Sequence, residues 1–271
     1  MRLFLTTLLV MVAFAANSVL NRLGVAVFGT DALAFAVLRV AAGALTLAVL
    51  VRGQLALGRD RLWGALALAV YMLGFSWAYI GLGAGVGALI LFGTVQLVMF
   101  GWAGLAGGPV PALRWFGAAV AFGGLVLLLW PQGGLDLPLG GTVAMIAAGA
   151  GWAAYSLLGQ GARQPLVATA GNFVLCLPLV LLPLAVVPVT VTTFGAITAV
   201  VAGALTSALG YALWYRVLPQ LAATTAATAQ LSVPVIAVGG GAVLLAEPVT
   251  LRLAIAAMLV LGGIGVSLIR R

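Results

Sequence analysis

Apolar runs of about 20 residues recur from one end of this chain to the other. The breaks between them are short and carry turn-forming or charged residues: RGQLALGRDR, GGPVPALR, WPQGGLDLPLGG, GQGARQP and AEPVTLR. A helix of about 20 apolar residues matches the hydrocarbon thickness of a bilayer. That ruler gives ten segments, near 3–21, 32–51, 62–81, 85–105, 113–130, 139–158, 167–187, 194–214, 224–245 and 252–269. The expected fold class is therefore an all-α integral membrane protein with ten transmembrane helices. Of its 271 residues, 65% are hydrophobic and 6% charged, too few charges for the shell of a soluble domain. One alternative reading of the first segment is a cleaved signal peptide; its counterpart in the second half, described below, argues against that.

The net charge is +8, from twelve Arg, no Lys and four acids. Such a balance can signal nucleic-acid binding, but the Arg residues are scattered one or two per loop and form no basic run. They read instead as orientation. With ten crossings and a cytoplasmic N-terminus, Arg2, Arg52, Arg59, Arg61, Arg114, Arg163, Arg216, Arg270 and Arg271 fall inside. Only Arg22 and Arg252 fall outside, and Arg39 lies within segment 2. This positive-inside bias puts both termini in the cytoplasm. The expected location is the bacterial inner membrane, as a multi-pass protein.

The phrase FAANSVLNR at 14–22 returns as WAAYSLLGQ at 152–160. The offset of 138 also pairs Phe35 with Phe173, Gly101 with Gly239, Arg114 with Arg252 and Gly124 with Gly262. An offset of 136 pairs Gly74 with Gly210 and Tyr79 with Tyr215. A sustained register of this kind points to an internal repeat. The halves are then 1–133 and 134–271, five segments each, forming one membrane domain. An odd number of crossings per copy inverts the second copy, which is the plan of alternating-access transporters.

These features resemble the drug/metabolite transporter superfamily in its ten-helix EamA branch. The resemblance is carried by GWAAYSLLGQGAR (151–163), GYALWYRVLPQLAATTAATAQLSVPVIAV (210–238), LLAEPVTLRLAIAAMLVLGGIGV (244–266) and the repeat itself. Within that branch, WAAY and GYALWY resemble the YddG-like exporters of aromatic and neutral amino acids. The resemblance implies an exporter of amino acids or related small metabolites. The branch usually carries an acidic residue after helix 4 as well as after helix 9; this chain has Glu247 after segment 9 and Pro109 at the matching place in the first half.

Several chemistries are excluded by residue type. There is no His, the commonest metal ligand and proton switch, and no P-loop. The single Cys176 rules out a disulfide framework. No cofactor, metal site or catalytic group is expected, and the protein reads as no enzyme. All four acids fall in loops or at segment ends, so a carboxylate relay through the bilayer is not expected and transport reads as facilitative, with coupling to an ion through backbone carbonyls as the open alternative.

Candidate path residues are the polar and aromatic side chains within the segments. Arg39 is the one charge inside a span, suited to a substrate carboxylate or to capping backbone carbonyls. Asn17 stands on segment 1. Tyr71, Phe75 and Tyr79 recur every four residues on one face of segment 3, near Trp77. Gln96, Gln230 and Ser232 are polar side chains that must face protein or a wet path. Trp152, Tyr155 and Tyr211 complete an aromatic wall suited to apolar side chains, with core packing as the bland alternative. Pro178 and Pro234 are candidate kinks for gates. Trp63, Trp102, Trp115 and Trp130 suit an interfacial belt. Expected partners are the lipid bilayer and a small-molecule substrate, amino acids first. No nucleic acid is implied, and a monomer suffices because one chain holds both halves. A permease or flippase for another metabolite, and a non-transporting membrane assembly protein, are the alternatives.

Overall fold

A computed structural model of the chain describes residues 2–105, 112–130, 137–159, 162–217, 220, 229–230 and 232–267. Pro109, Asp136, Gln160, Arg270, Arg271 and the expected boundary at 133/134 lie outside them, as do the side chains of Arg114 and Tyr215. The described residues are helical with no strand. Backbone polar groups in hydrocarbon must be satisfied within the segment, and a helix does so by itself.

The helices are α1 (Arg2–Arg22), α2 (Ala32–Leu50), α3 (Leu62–Ala78), α4 (Ala84–Leu105), α5 (Ala112–Leu129), α6 (Leu139–Gly159) and α7 (Pro165–Leu181). Next comes α8, made of α-helical Thr193–Val201, π-helical Ala202–Leu209 and α-helical Gly210–Val217. The last two are α9 (Ser232–Leu245) and α10 (Leu251–Ser267). Six helical stretches are long and apolar enough to cross a membrane: Arg2–Val27, Ala32–Leu50, Arg59–Ala78, Leu139–Gly159, Pro165–Ala185 and Thr193–Trp214. Shorter apolar stretches lie at Ala84–Met99, Trp115–Leu128, Ser232–Leu245 and Leu251–Val266.

Polarity is distributed as a bilayer requires. Phe4, Leu45, Val49, Trp63, Leu105, Leu139 and Val243 are exposed, whereas Asn17, Asn21, Arg39, Ser76 and Ser207 are buried. Trp63, Trp102, Trp115 and Trp130 are all exposed.

Helix contacts come in matched pairs. α3 packs on α6 as α8 packs on α1, α4 on α6 as α9 on α1, and α2 on α8 as α7 on α3. α2 with α7, α4 with α9 and α5 with α10 pack on each other. Close approaches are made by glycines. Gly203 in α8 lies against the carbonyl oxygen of Arg39, Gly43 in α2 against the Phe173 ring, and Gly263 in α10 against the backbone of Gly117 and Ala121 in α5.

Two loop pairs stitch one end of the bundle. Thr192 N donates to Thr30 Oγ1 (3.0 Å), the two threonine hydroxyls pair at 2.8 Å, and Thr192 Oγ1 donates to Phe28 O (2.8 Å). Thr192 also caps α8 by accepting from Gly195 N (3.2 Å). Beside this, Arg22 at the end of α1 meets Glu247 in the α9–α10 loop at 3.2 Å. Arg22 Nη1 donates to the terminal carbonyls of Tyr79 (3.0 Å) and Ile80 (2.8 Å), and Glu247 Oε2 accepts from Ala84 N (2.7 Å) at the start of α4. The cation thus sits at a helix C-terminus and the anion at a helix N-terminus, each where the backbone dipole favours it. Both side chains are about three-quarters covered, so the pair stabilises by about 1 kcal/mol. Glu247→Gln is expected to lower the melting temperature of the detergent-purified protein by about 2–4 °C. An unchanged melting curve would show that this latch contributes nothing.

Candidate functional site

Segment 1 repeats a polar or aromatic side chain at 14, 17, 18 and 21, spacing that gathers them on one helical face. In α1 that face turns inward. With Tyr71 and Phe75 of α3, Leu91 and Phe92 of α4, Trp152 of α6 and Tyr211 of α8, Phe14, Asn17 and Ser18 line a small cavity. Its volume is about 20 Å³, room for a water-sized sphere and little more.

Aromatic rings form one continuous cluster around it. Tyr79 packs edge-on to Phe75 (4.8 Å between centroids), Phe75 on Tyr71 (5.2 Å) and Tyr71 on Trp152 (4.9 Å). Trp152 then meets Tyr211 (5.0 Å) and Tyr155 (5.6 Å). Phe14 closes the ring against Trp152 (6.4 Å) and Tyr211 (5.8 Å). Phe14 and Trp152 are the first residues of the phrases FAANSVLNR and WAAYSLLGQ, and they meet at the cavity wall.

Arg39 stands directly behind the wall and is 0% exposed. Its Nε donates to Ser207 Oγ (3.0 Å) and its Nη2 to Tyr71 Oη (3.1 Å). Its guanidinium carbon lies 5.4 Å from the Tyr71 centroid and 5.0 Å from that of Phe75. Nη1 is buried with no hydrogen-bond partner, and the ion pairs among the described residues do not include Arg39. Tyr71 and Ser207, which bind the cation, are 136 positions apart, the same spacing as Gly74 and Gly210. Ser207 is delivered by the π-helical stretch of α8; one extra residue per turn rotates Thr206 and Ser207 toward α1 and α2. Thr206 Oγ1 donates to Asn17 Oδ1 (2.6 Å) and Ser207 Oγ to the same atom (3.4 Å). One turn along, Ser76 Oγ donates to Asn21 Oδ1 (2.9 Å).

The expected residues Asn17, Arg39, Tyr71, Phe75, Tyr79, Trp152, Tyr155 and Tyr211 are thus brought together. Tyr155 lies at the rim, donating to Thr169 Oγ1 (3.2 Å) in α7. Trp77 is not part of the cluster: it is 58% exposed. Two steps of about 100° turn it away from the face that carries Phe75. Gln96, Gln230 and Ser232 are half-buried and do not line the cavity, and Ser232 Oγ instead donates to Ala229 O (2.6 Å). Pro178 sits exposed in the last turn of α7, which tightens into a 3₁₀ turn at Leu182–Ala185. Pro234 is buried in α9, with helical residues at 229–230 on its N-terminal side, and neither proline lines the cavity. Ser207, Thr206, Leu91 and Phe92 were not expected. Small hydroxyls and aliphatics are too common in apolar segments to stand out, and a π-helical stretch has no signature in residue type.

No group of His, Cys, Asp or Glu able to hold a metal occurs among the described residues. The arrangement is a small aromatic-lined cavity with one buried cation at its back.

Residues 139–269 match the EamA-like transporter family. A Pseudomonas aeruginosa protein, "Uncharacterized protein PA1977", is 44% identical over 275 residues, covering 100% of this chain and 96% of its own. The chain belongs to the EamA-like transporter family. Members of this family, within the drug/metabolite transporter superfamily, are membrane transporters of small metabolites and not enzymes. This EamA-like transporter is accordingly a multi-pass membrane protein that handles a small-molecule substrate. A solved crystal structure superposes on it with a TM-score of 0.70 at 21% identity, covering 97% of each chain, a likeness of fold.

Proposed function

We propose that the protein is a bacterial inner-membrane exporter of amino acids, aromatic and neutral ones first, or of closely related metabolites, working facilitatively by alternating access. The observation that carries this reading is the buried Arg39 beside an aromatic chamber, with no carboxylate facing it among the described residues. A lone buried cation favours an anionic group on the substrate, and ring faces suit an apolar side chain.

The matched helix contacts support reading 1–133 and 134–271 as inverted halves, and the Arg distribution supports ten crossings with both termini cytoplasmic. The chamber lies between α1 and α3 of one half and α6 and α8 of the other, and one chain supplies both, so a monomer suffices. A volume of about 20 Å³ admits no amino acid, so substrate entry requires the halves to move apart. No described acid lies in the chamber wall, which favours transport down a gradient over proton coupling.

The test is flux in liposomes. Purified protein is expected to carry labelled phenylalanine or a neutral amino acid saturably, and an imposed proton gradient is expected to leave the final distribution unchanged. No saturable flux of any amino acid would sink the substrate claim, and uphill accumulation driven by protons would sink the facilitative one.

A further inference from the structure

A guanidinium has donors only, and it stays protonated. Every hydroxyl that takes a hydrogen bond from Arg39 therefore has its own hydrogen left to give. Ser207 gives its hydrogen to Asn17 Oδ1, which Thr206 also occupies, so the free end of the Asn17 amide is its NH₂. Tyr71 Oη accepts from Arg39, which leaves its hydrogen to give. Tyr211 Oη is buried, and its hydrogen-bonding neighbour is the Tyr71 side chain. Asn17, Tyr71 and Tyr211 line the same cavity, beside Trp152, whose indole N–H can only donate. Among the described residues the wall contains no carboxylate to receive an ammonium.

We infer that the cavity is a carboxylate seat that does not read the amino group. The carboxylate lies on Tyr71 Oη, Tyr211 Oη and the Asn17 amide, and Arg39 is a positioning residue that fixes their donor polarity from behind. Carboxylic acids lacking an amino group, of matching apolar side chain, are then ligands on a par with the amino acids. This rests on the transport reading above and names its substrate class.

The test uses four probes with one side chain: L-phenylalanine, 3-phenylpropanoate, 3-phenylpropanamide and phenethylamine. Binding is read in detergent by tryptophan fluorescence and thermal shift, and transport in liposomes by competition and direct flux. The two carboxylates are expected to bind within about threefold of each other, and the amide and amine at least about tenfold more weakly, the size of one or two charge-assisted hydrogen bonds. Tyr71→Phe keeps the ring and removes one donor. It is expected to shrink the preference for 3-phenylpropanoate over 3-phenylpropanamide about tenfold, whereas a purely structural role would weaken both alike. Phenethylamine binding as tightly as 3-phenylpropanoate, or no binding by either carboxylate, overturns the inference. Carboxylate-selective binding with no flux of any probe supports the seat and refutes transport. Flux of L-phenylalanine with no preference among the probes supports transport and refutes the seat.

Discussion

Arg39→Met is expected to melt within a few degrees of the wild-type protein while losing about a hundredfold in transport. Burying a guanidinium costs several kcal/mol in lost hydration, and no described carboxylate offsets it. The offsets present are the bonds to Ser207 and Tyr71 and the faces of Tyr71 and Phe75. Charge-assisted bonds contribute about 1.5–3 kcal/mol each and cation–π contacts about 1–2 kcal/mol, so the favourable and unfavourable sides are of similar size. Methionine is long and flexible enough to fill the space. Its net effect on stability should therefore be small, while the charge that favours a carboxylate disappears. Melting curves and liposome flux on the same preparation check both halves of the claim. A collapse of the melting temperature by ten degrees or more would mean that Arg39 holds the bundle together and has no special part in transport.

The second large effect is steric. Gly203→Val is expected to destabilise by about 3 kcal/mol or more and to strip the protein from the membrane fraction. A Cβ at Gly203 would land on the carbonyl oxygen of Arg39 and 2.9 Å from the Ala42 Cβ. Backbone cannot swing aside as a side chain can, so α2 and α8 would have to separate. That separation would also pull Ser207 from Arg39. Gly262→Val is the matched control, because a Cβ there meets nothing within 4 Å. Comparable expression of the two variants would contradict the tight α2–α8 crossing.

The helices were legible because hydrocarbon imposes a length on any segment that crosses it. Expected and observed bounds agree closely for α4, α5 and α6. The Tyr71, Phe75, Tyr79 series was legible for a similar reason, since a four-residue step fixes one face. Trp77 was misplaced because its residue type, not its register, suggested the site. Arg39 stood out as the one charge in a span, but its place behind the wall depends on α3 and α8 closing over it. No pattern along segment 2 encodes that.

The Arg22–Glu247 pair bears on kinetics. The positions 138 away from its two members hold Gln160 and Pro109, residue types that form no ion pair. Two inverted halves of equal sequence would spend equal time open to each side. On the proposed alternating-access cycle, the latch would add about 1 kcal/mol to one closed end, a bias of roughly fivefold in occupancy. An idle carrier on that cycle would wait with the latched side shut, so half-saturation is expected to differ between the two faces. The gradient alone still decides which way net flux runs, because an asymmetry in the empty carrier shifts rates and affinities without supplying free energy.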